Sequence, residues 1–173
     1  MADKTYFSYR QIHRTVKSLA ERIIADKYDP DVIVAIGTGG FIPARIIKTF
    51  IDRPILTVGL RLYDENNRRA EVPRKIQWID EVEQKLAGKR ILLVDEVDDT
   101  RTTLEYCLRE LLSHGPAETA VAVLHKKNKA KRGVFPDEVT RYWIGQELED
   151  QWIVYPWDAA DIDEHCRIAE EDR

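Results

Sequence analysis

ILLVDEVDDTRTTL, residues 91–104, sets four apolar residues against four acids within five positions, followed by hydroxyls around one arginine. RILLV (90–94) reads as a buried strand. Thr102-x-x-Glu105 has the spacing of a capping box, and Leu104, Leu108, Leu111 and Leu112 give the next helix one apolar face, which Gly115-Pro116 ends. Folding alone has no use for the acids in between. Asp95, Glu96, Asp98 and Asp99 repel one another, and burying even one unpaired carboxylate costs several kcal/mol or forces it to protonate. The stretch therefore predicts a ligand at the end of a strand.

Outward from this stretch the same pattern of strand and helix repeats. After Ser8, an N-cap residue, Ile12, Val16, Leu19, Ala20, Ile23 and Ile24 recur at helical spacing. VIVAI (32–36), closed by Gly37, is a short β-branched run. The helix after it has Pro43 in its first turn and Ile46, Ile47, Phe50 and Ile51 along one side. ILTVGLRL (55–62), TAVAVL (119–124) and RYWIG (141–145) read as further strands, and the C-terminal tail as a helix. Residues 63–80, YDENNRRAEVPRKIQWID, are polar without a clear period and read as a long loop acting as a flap. Strands without alternation, separated by helices, predict an α/β fold with a twisted parallel sheet flanked by helices. Ligands of such sheets bind beyond the carboxyl ends of the strands, where both IGTGGF (36–41) and DEVDDTRTT (95–103) fall.

The bulk composition removes several classes of function. With 173 residues the chain has the size of one domain, and 34% charged residues with a net charge of −4 give no field for nucleic acid or an anionic membrane. HKKNKAKR (125–132) is thus read as a solvated loop after a strand. Cys107 and Cys166 lack metal-type spacing and predict buried thiols in a reducing compartment. MADKTYFSYR has no signal-peptide core and no stretch approaches a membrane span, so a cytoplasmic protein is expected. His13, His114, His125 and His165 form no constellation and are assigned ordinary roles.

What DEVDDTRTT suits can be read from its donors and acceptors. Asp95 and Glu96 can accept from a vicinal diol or help hold a hydrated divalent cation, while residues 99–103 lead into a helix N-terminus that favours an anion. A sugar with hydroxyls at one end and a phosphate at the other satisfies both halves. The competing reading, in which Asp99 and Thr102 only cap a helix and the other acids face solvent, leaves the acid pair unexplained.

These residues resemble the phosphoribosyl-pyrophosphate (PRPP) motif of the type I phosphoribosyltransferases. DEVDDTRTTL and IGTGGFIPARI are most similar to the yeast-type hypoxanthine-guanine branch, and WIVYPWD (152–158) resembles that branch and the bacterial xanthine-guanine enzymes. With the Tyr63 loop and QWID (77–80), the likeness covers most of the chain from about Asp31 to Asp158. It implies a single domain over 1–173, with a core at about 8–140 and a small hood built from the C-terminal segment at about 141–173. It also implies Mg²⁺-dependent transfer of a 5-phosphoribosyl group from PRPP to hypoxanthine, guanine or xanthine, giving pyrophosphate and a purine nucleoside monophosphate. The rivals are an enzyme of this fold for another base and a PRPP-sensing regulator without chemistry. A homodimer or homotetramer is expected.

The resemblance assigns roles residue by residue. Asp99 is the expected general base. Asp95, Glu96, Asp98, Asp99, Thr100, Arg101, Thr102 and Thr103 would bind PRPP, together with the pyrophosphate loop Gly37, Thr38, Gly39 and Gly40, where a cis Gly37–Thr38 peptide is frequent. Lys126, with Lys127 as the alternative, would meet the six-position oxygen of the base. Trp152 would stack on the purine, the Ile153 backbone would read its edge, and Trp157 is expected in the core. Asp95 and Glu96, with Asp158 at a second position, would serve the metal. Two departures stand out. Arg101 replaces the glycine usual in the superfamily, and serves a phosphate only if its backbone avoids the left-handed region. Thr38 replaces an arginine of bacterial relatives, which passes the pyrophosphate charge to Arg69 or Arg68.

Overall fold

The computed structural model describes residues 4–63 and 69–171, the side chains of 62–71 and 171 excepted. In chain order the elements are β1 (Lys4–Tyr6), α1 (Tyr9–Ala25), β2 (Val32–Gly37), α2 (Phe41–Phe50), β3 (Ile55–Tyr63), β4 (Arg69–Gln77) and α3 (Val82–Leu86). The second half carries β5 (Arg90–Asp98), α4 (Thr102–Leu112), β6 (Glu118–Lys127), β7 (Val139–Leu148), β8 (Trp152–Val154), a 3-10 turn (Pro156–Asp158) and α5 (Ile162–Glu171). Ser8 starts α1 through a full capping box: Gln11 N–H donates to Ser8 Oγ, and Ser8 N–H donates to the Gln11 side chain.

Six strands form one sheet in the order β4-β3-β2-β5-β6-β7. All neighbours are parallel except β3 and β4. Alternate residues of the central strands feed two separate cores. Leu92 and Val94 of β5 pack with Ile12, Val16, Leu19 and Ile23 of α1 and Ile47 of α2. Ile91 and Leu93 face Leu104, Cys107, Leu108 and Leu111 of α4 and Leu86 of α3. Burial on both faces is why these strands show no polar alternation.

Three segments differ from the sequence reading. Much of 63–80 is strand: β4 pairs antiparallel with β3, while residues 64–68 lie outside the described residues. β4 is an edge strand rich in charge, with Pro73 inside it, so propensity hides it. The expected capping box at Thr102 is not formed. Thr102 is the first helical residue, Arg101 holds the cap position with φ 66°, and no side chain caps the helix. Glu105 instead accepts from Arg109 and from the Val134 N–H. Finally, β1 and β8, which the sequence reading did not give as strands, pair with each other in a separate two-stranded sheet, while β7 is an edge of the main sheet.

Candidate active site

Two loops meet at the carboxyl ends of β2 and β5. Asp95, Glu96 and Asp98 are the last polar positions of β5, Asp99 follows the strand, and α4 begins at Thr102. Asp95, Glu96 and Asp99 line a cleft of about 320 Å³ whose walls also include Gly37, Thr38 and Gly39 on one side and Thr100–Leu104 on the other. The Gly37–Thr38 peptide is cis. Gly40 stands behind the wall, where a β-carbon would meet Ile36 O at 2.6 Å and Val94 O at 2.7 Å.

The acid pair is held under electrostatic tension. Asp95 is buried, its Oδ1 accepts from Glu96 N–H at 2.9 Å, and burial, then the charge of Glu96, raises its carboxyl well above the usual range. Hard oxygen donors at a strand end fit Mg²⁺, which takes one or two carboxylates and leaves the remaining positions to water and substrate phosphate. Among the described residues no three His, Cys, Asp or Glu side chains converge on a metal position, and Asp158 lies in the 3-10 turn.

Asp98 does not line the cleft. It is fully buried and accepts from Arg101 Nε at 3.1 Å, Arg101 Nη2 at 2.7 Å and Tyr142 Oη at 2.7 Å. This corrects the expectation for the Arg101 side chain. Its backbone is left-handed, and its guanidinium turns back onto Asp98 and lies 4.2 Å over the Phe135 ring. Thr100 Oγ1 and Thr102 Oγ1 stand 3.1 Å apart at the start of α4.

Asp99 forms salt bridges to Lys127 and Lys129. Lys129 Nζ lies 3.0 Å from Asp99 Oδ1 and 2.9 Å from Asp150 Oδ1, and Lys127 Nζ lies 3.7 and 3.8 Å from the same two oxygens. These lysines tie the loop to the segment leading into β8. Lys126 faces the other way and donates to Glu147 Oε1 at 3.2 Å. Trp152 is 63% exposed at the start of β8, free to offer a ring face, while Ile153 packs partly on the first core, as does Trp157. Arg68 lies outside the described residues, as does the side chain of Arg69.

Two supports were not legible in the sequence. His125 is buried, with Nδ1 2.9 Å from Tyr155 Oη, and Tyr155 Oη in turn donates to Glu96 O at 3.3 Å. Burial lowers the imidazole to about 3, so it is neutral. Lys131, from the segment read as a solvated loop, donates to Asp98 O, Asp99 O and Lys127 O at 2.7, 2.8 and 2.8 Å. Only a tertiary contact reveals either one.

Comparison with known proteins agrees with this geometry. The chain is 42% identical to the hypoxanthine-guanine phosphoribosyltransferase of Schizosaccharomyces pombe, over 94% of this chain and 92% of that one. It is 39% identical to xanthine phosphoribosyltransferase 1 of Saccharomyces cerevisiae, over 96% and 95%. A hypothetical protein from Neisseria gonorrhoeae, solved with bound ppGpp, superposes with a TM-score of 0.93 at 48% identity, covering 100% of this chain and 99% of that one. A purine phosphoribosyltransferase from Pyrococcus horikoshii gives 0.73 at 31% identity, covering 92% and 96%. The phosphoribosyl transferase domain model matches residues 4–161, and with it the acid pair, the glycine loop and the helix start of α4 find their common account: this chain belongs to the phosphoribosyltransferase family.

Proposed function

We propose that the protein transfers the 5-phosphoribosyl group of PRPP to a 6-oxopurine (hypoxanthine, guanine or xanthine) in purine salvage, releasing pyrophosphate and forming the nucleoside monophosphate. The observation that carries this reading is the division of the cleft. Asp95 and Glu96 suit the hydroxyls of a ribose, and the hydroxyl-lined turn at 99–103 suits its 5-phosphate. The names of the yeast relatives, hypoxanthine-guanine and xanthine phosphoribosyltransferase, support the acceptor.

Bond breaking at the anomeric carbon runs ahead of bond making, so positive charge develops on the ribose, and the carboxylates beside it favour that charge. Asp99 accepts or shares the proton at purine N7. Lys126, or Lys127, donates to the six-position oxygen, Trp152 stacks on the base and the Ile153 backbone meets its edge. Asp95 and Glu96 would hold Mg²⁺, with Asp158 near a second ion; when bound, the metal neutralises charge on the departing pyrophosphate. Residues 63–80, as a flap, would exclude water from PRPP. In this reading the protein works in the cytoplasm as a homodimer or homotetramer, which sedimentation checks.

Incubating the protein with PRPP and each of hypoxanthine, guanine, xanthine and adenine, with and without Mg²⁺, tests the reading. Turnover of at least one 6-oxopurine, dependent on Mg²⁺, is expected, and turnover of adenine alone rejects it. A second reading comes from the ppGpp held by the N. gonorrhoeae protein. A guanosine nucleotide carries the same base and 5-phosphate as the product, so ppGpp would compete with PRPP for this cleft. Inhibition by ppGpp that excess PRPP does not relieve contradicts that.

A further inference from the structure

Three successive carbonyls at the turn after β5 are capped by one short segment. Asp98 O and Asp99 O accept from Lys131 Nζ, at 2.7 and 2.8 Å. Thr100 O accepts from the backbone N–H groups of Arg132 at 3.0 Å and Gly133 at 3.1 Å. The third Lys131 hydrogen goes to Lys127 O at 2.8 Å, so the three donors of the ammonium match three carbonyl oxygens. The Arg101 guanidinium, on Asp98 and over Phe135, braces the same turn.

This capping has a consequence on the opposite side of the turn. In a planar trans peptide the C=O of one residue and the N–H of the next point in opposite directions. Carbonyls 98, 99 and 100 point at residues 131–133, so the N–H groups of Asp99, Thr100 and Arg101 point away from them. Residues 99–104 also line the cleft. Three peptide dipoles aligned this way repel one another, and their carbonyl ends stay together only where donors or a cation cover them. Lys131 supplies the cation, and it is largely shielded, its side chain 13% exposed.

We propose that Lys131 is a positioning residue for phosphoribosyl transfer: its ammonium pins the carbonyls of 98 and 99 and thereby turns a row of backbone N–H groups toward the 5-phosphate. The proposal rests on the reading of the cleft given above. Lys131 touches no substrate in this scheme. It acts through the backbone that also carries Asp99, and it gives the basic segment 127–133 a role that requires no polyanion.

The test compares a ligand that has the phosphate with one that lacks it. Equilibrium affinities for GMP, guanosine and PRPP are measured by calorimetry on wild type and Lys131→Met. GMP and PRPP should weaken about ten- to hundredfold, the range for losing hydrogen bonds to a charged group, while guanosine holds. The thermal midpoint should stay within a few degrees of wild type. In Lys131→Ala, ammonium chloride should restore part of the GMP affinity and tetramethylammonium chloride at equal ionic strength should not, since only the smaller ion fits among three carbonyls. Equal losses for GMP and guanosine, an unfolded variant, or unchanged GMP affinity overturns the proposal. Wild type that binds neither PRPP nor GMP overturns the reading of the cleft, and the proposal with it.

Discussion

The carboxylate of Glu96 occupies the space in which a side chain on Gly39 would stand. Two loops from different strands thus interlock at the floor of the cleft. Gly39→Ala displaces only the mobile end of Glu96, so the thermal midpoint should barely change. The reacting groups then shift, and kcat/KM for PRPP should fall on the order of 10²-fold, as for misplacements of about an ångström. At the neighbouring Gly40 the obstacles are backbone oxygens. Gly40→Ala should therefore lose stability, by about 1–3 kcal/mol for an overpacked site. Calorimetry beside kinetics separates the two, and the reverse pattern would mean the interlock is structural.

The acid pair is expected to reduce the stability of the free protein. Asp95 is buried with its carboxyl raised by burial and by Glu96, so the folded chain is strained by that charge at neutral pH. Asp95→Asn with Glu96→Gln should leave the ligand-free thermal midpoint unchanged or higher. The same variant should bind PRPP more weakly and require more Mg²⁺. A large drop in the midpoint without ligand would identify the pair as a structural element.

His125 predicts an acid limit. Its folded value is depressed from 6.5 to about 3 by burial, so between these pH values the unfolded chain binds a proton that the folded chain refuses. Stability from this group is complete above 6.5 and declines as pH falls toward 3, by up to about 1.4 kcal/mol per pH unit. His125→Gln, which keeps a polar partner for Tyr155, should flatten the midpoint-versus-pH curve across that window. Parallel curves for the two proteins would show that another group sets the acid limit.

Asp99 stands where a base is needed yet is bridged to Lys129 and, through it, to Asp150. Asp99→Asn should keep PRPP affinity, because that site is built of backbone and hydroxyls, and lower kcat by roughly 10²–10⁴-fold. An unchanged kcat removes Asp99 from the role of base.

The parts of this site that were legible in sequence share one property: they are residues that folding does not need. Asp95, Glu96 and Asp99 at a strand end have no packing reason to be there. Periodicity likewise gave α1, α2 and the central strands, because burial on one or both faces dictates it. The rest was illegible for equally physical reasons. β4 is an edge strand, selected for charge and a proline, so its sequence argues against pairing. β1 and β8 contain three residues each, too few for a period, and exist because they pair with each other. Asp98 reads as one more acid of the motif, although its partners, Arg101 and Tyr142, make it a buried anchor. The left-handed backbone at Arg101 defeats the capping-box pattern beside it, and an arginine in that conformation has no local signal.

The last prediction concerns the base. Lys126, the penultimate residue of β6, has its ammonium 3.2 Å from Glu147 Oε1, whereas Lys127 is drawn into the Asp99–Asp150 bridge. The partially exposed Lys126 pair is the easier one to exchange for a substrate oxygen, since such pairs are weak. Lys126→Ala should then lower kcat/KM for guanine and hypoxanthine alike, by the roughly 1.5–3 kcal/mol of a charged hydrogen bond. Adenine, whose six-position amine faces an ammonium in the wild type, should lose little, so the guanine-to-adenine ratio falls. Trp152→Ala removes stacking, which ignores the six-position, and should lower all bases together. Lys127→Ala releases Asp99 from one of its two lysines and should change kcat for every base without altering their ratio. If Lys127→Ala collapses the ratio and Lys126→Ala does not, the base contact belongs to Lys127. If neither changes it, the end of β6 does not read a 6-oxopurine.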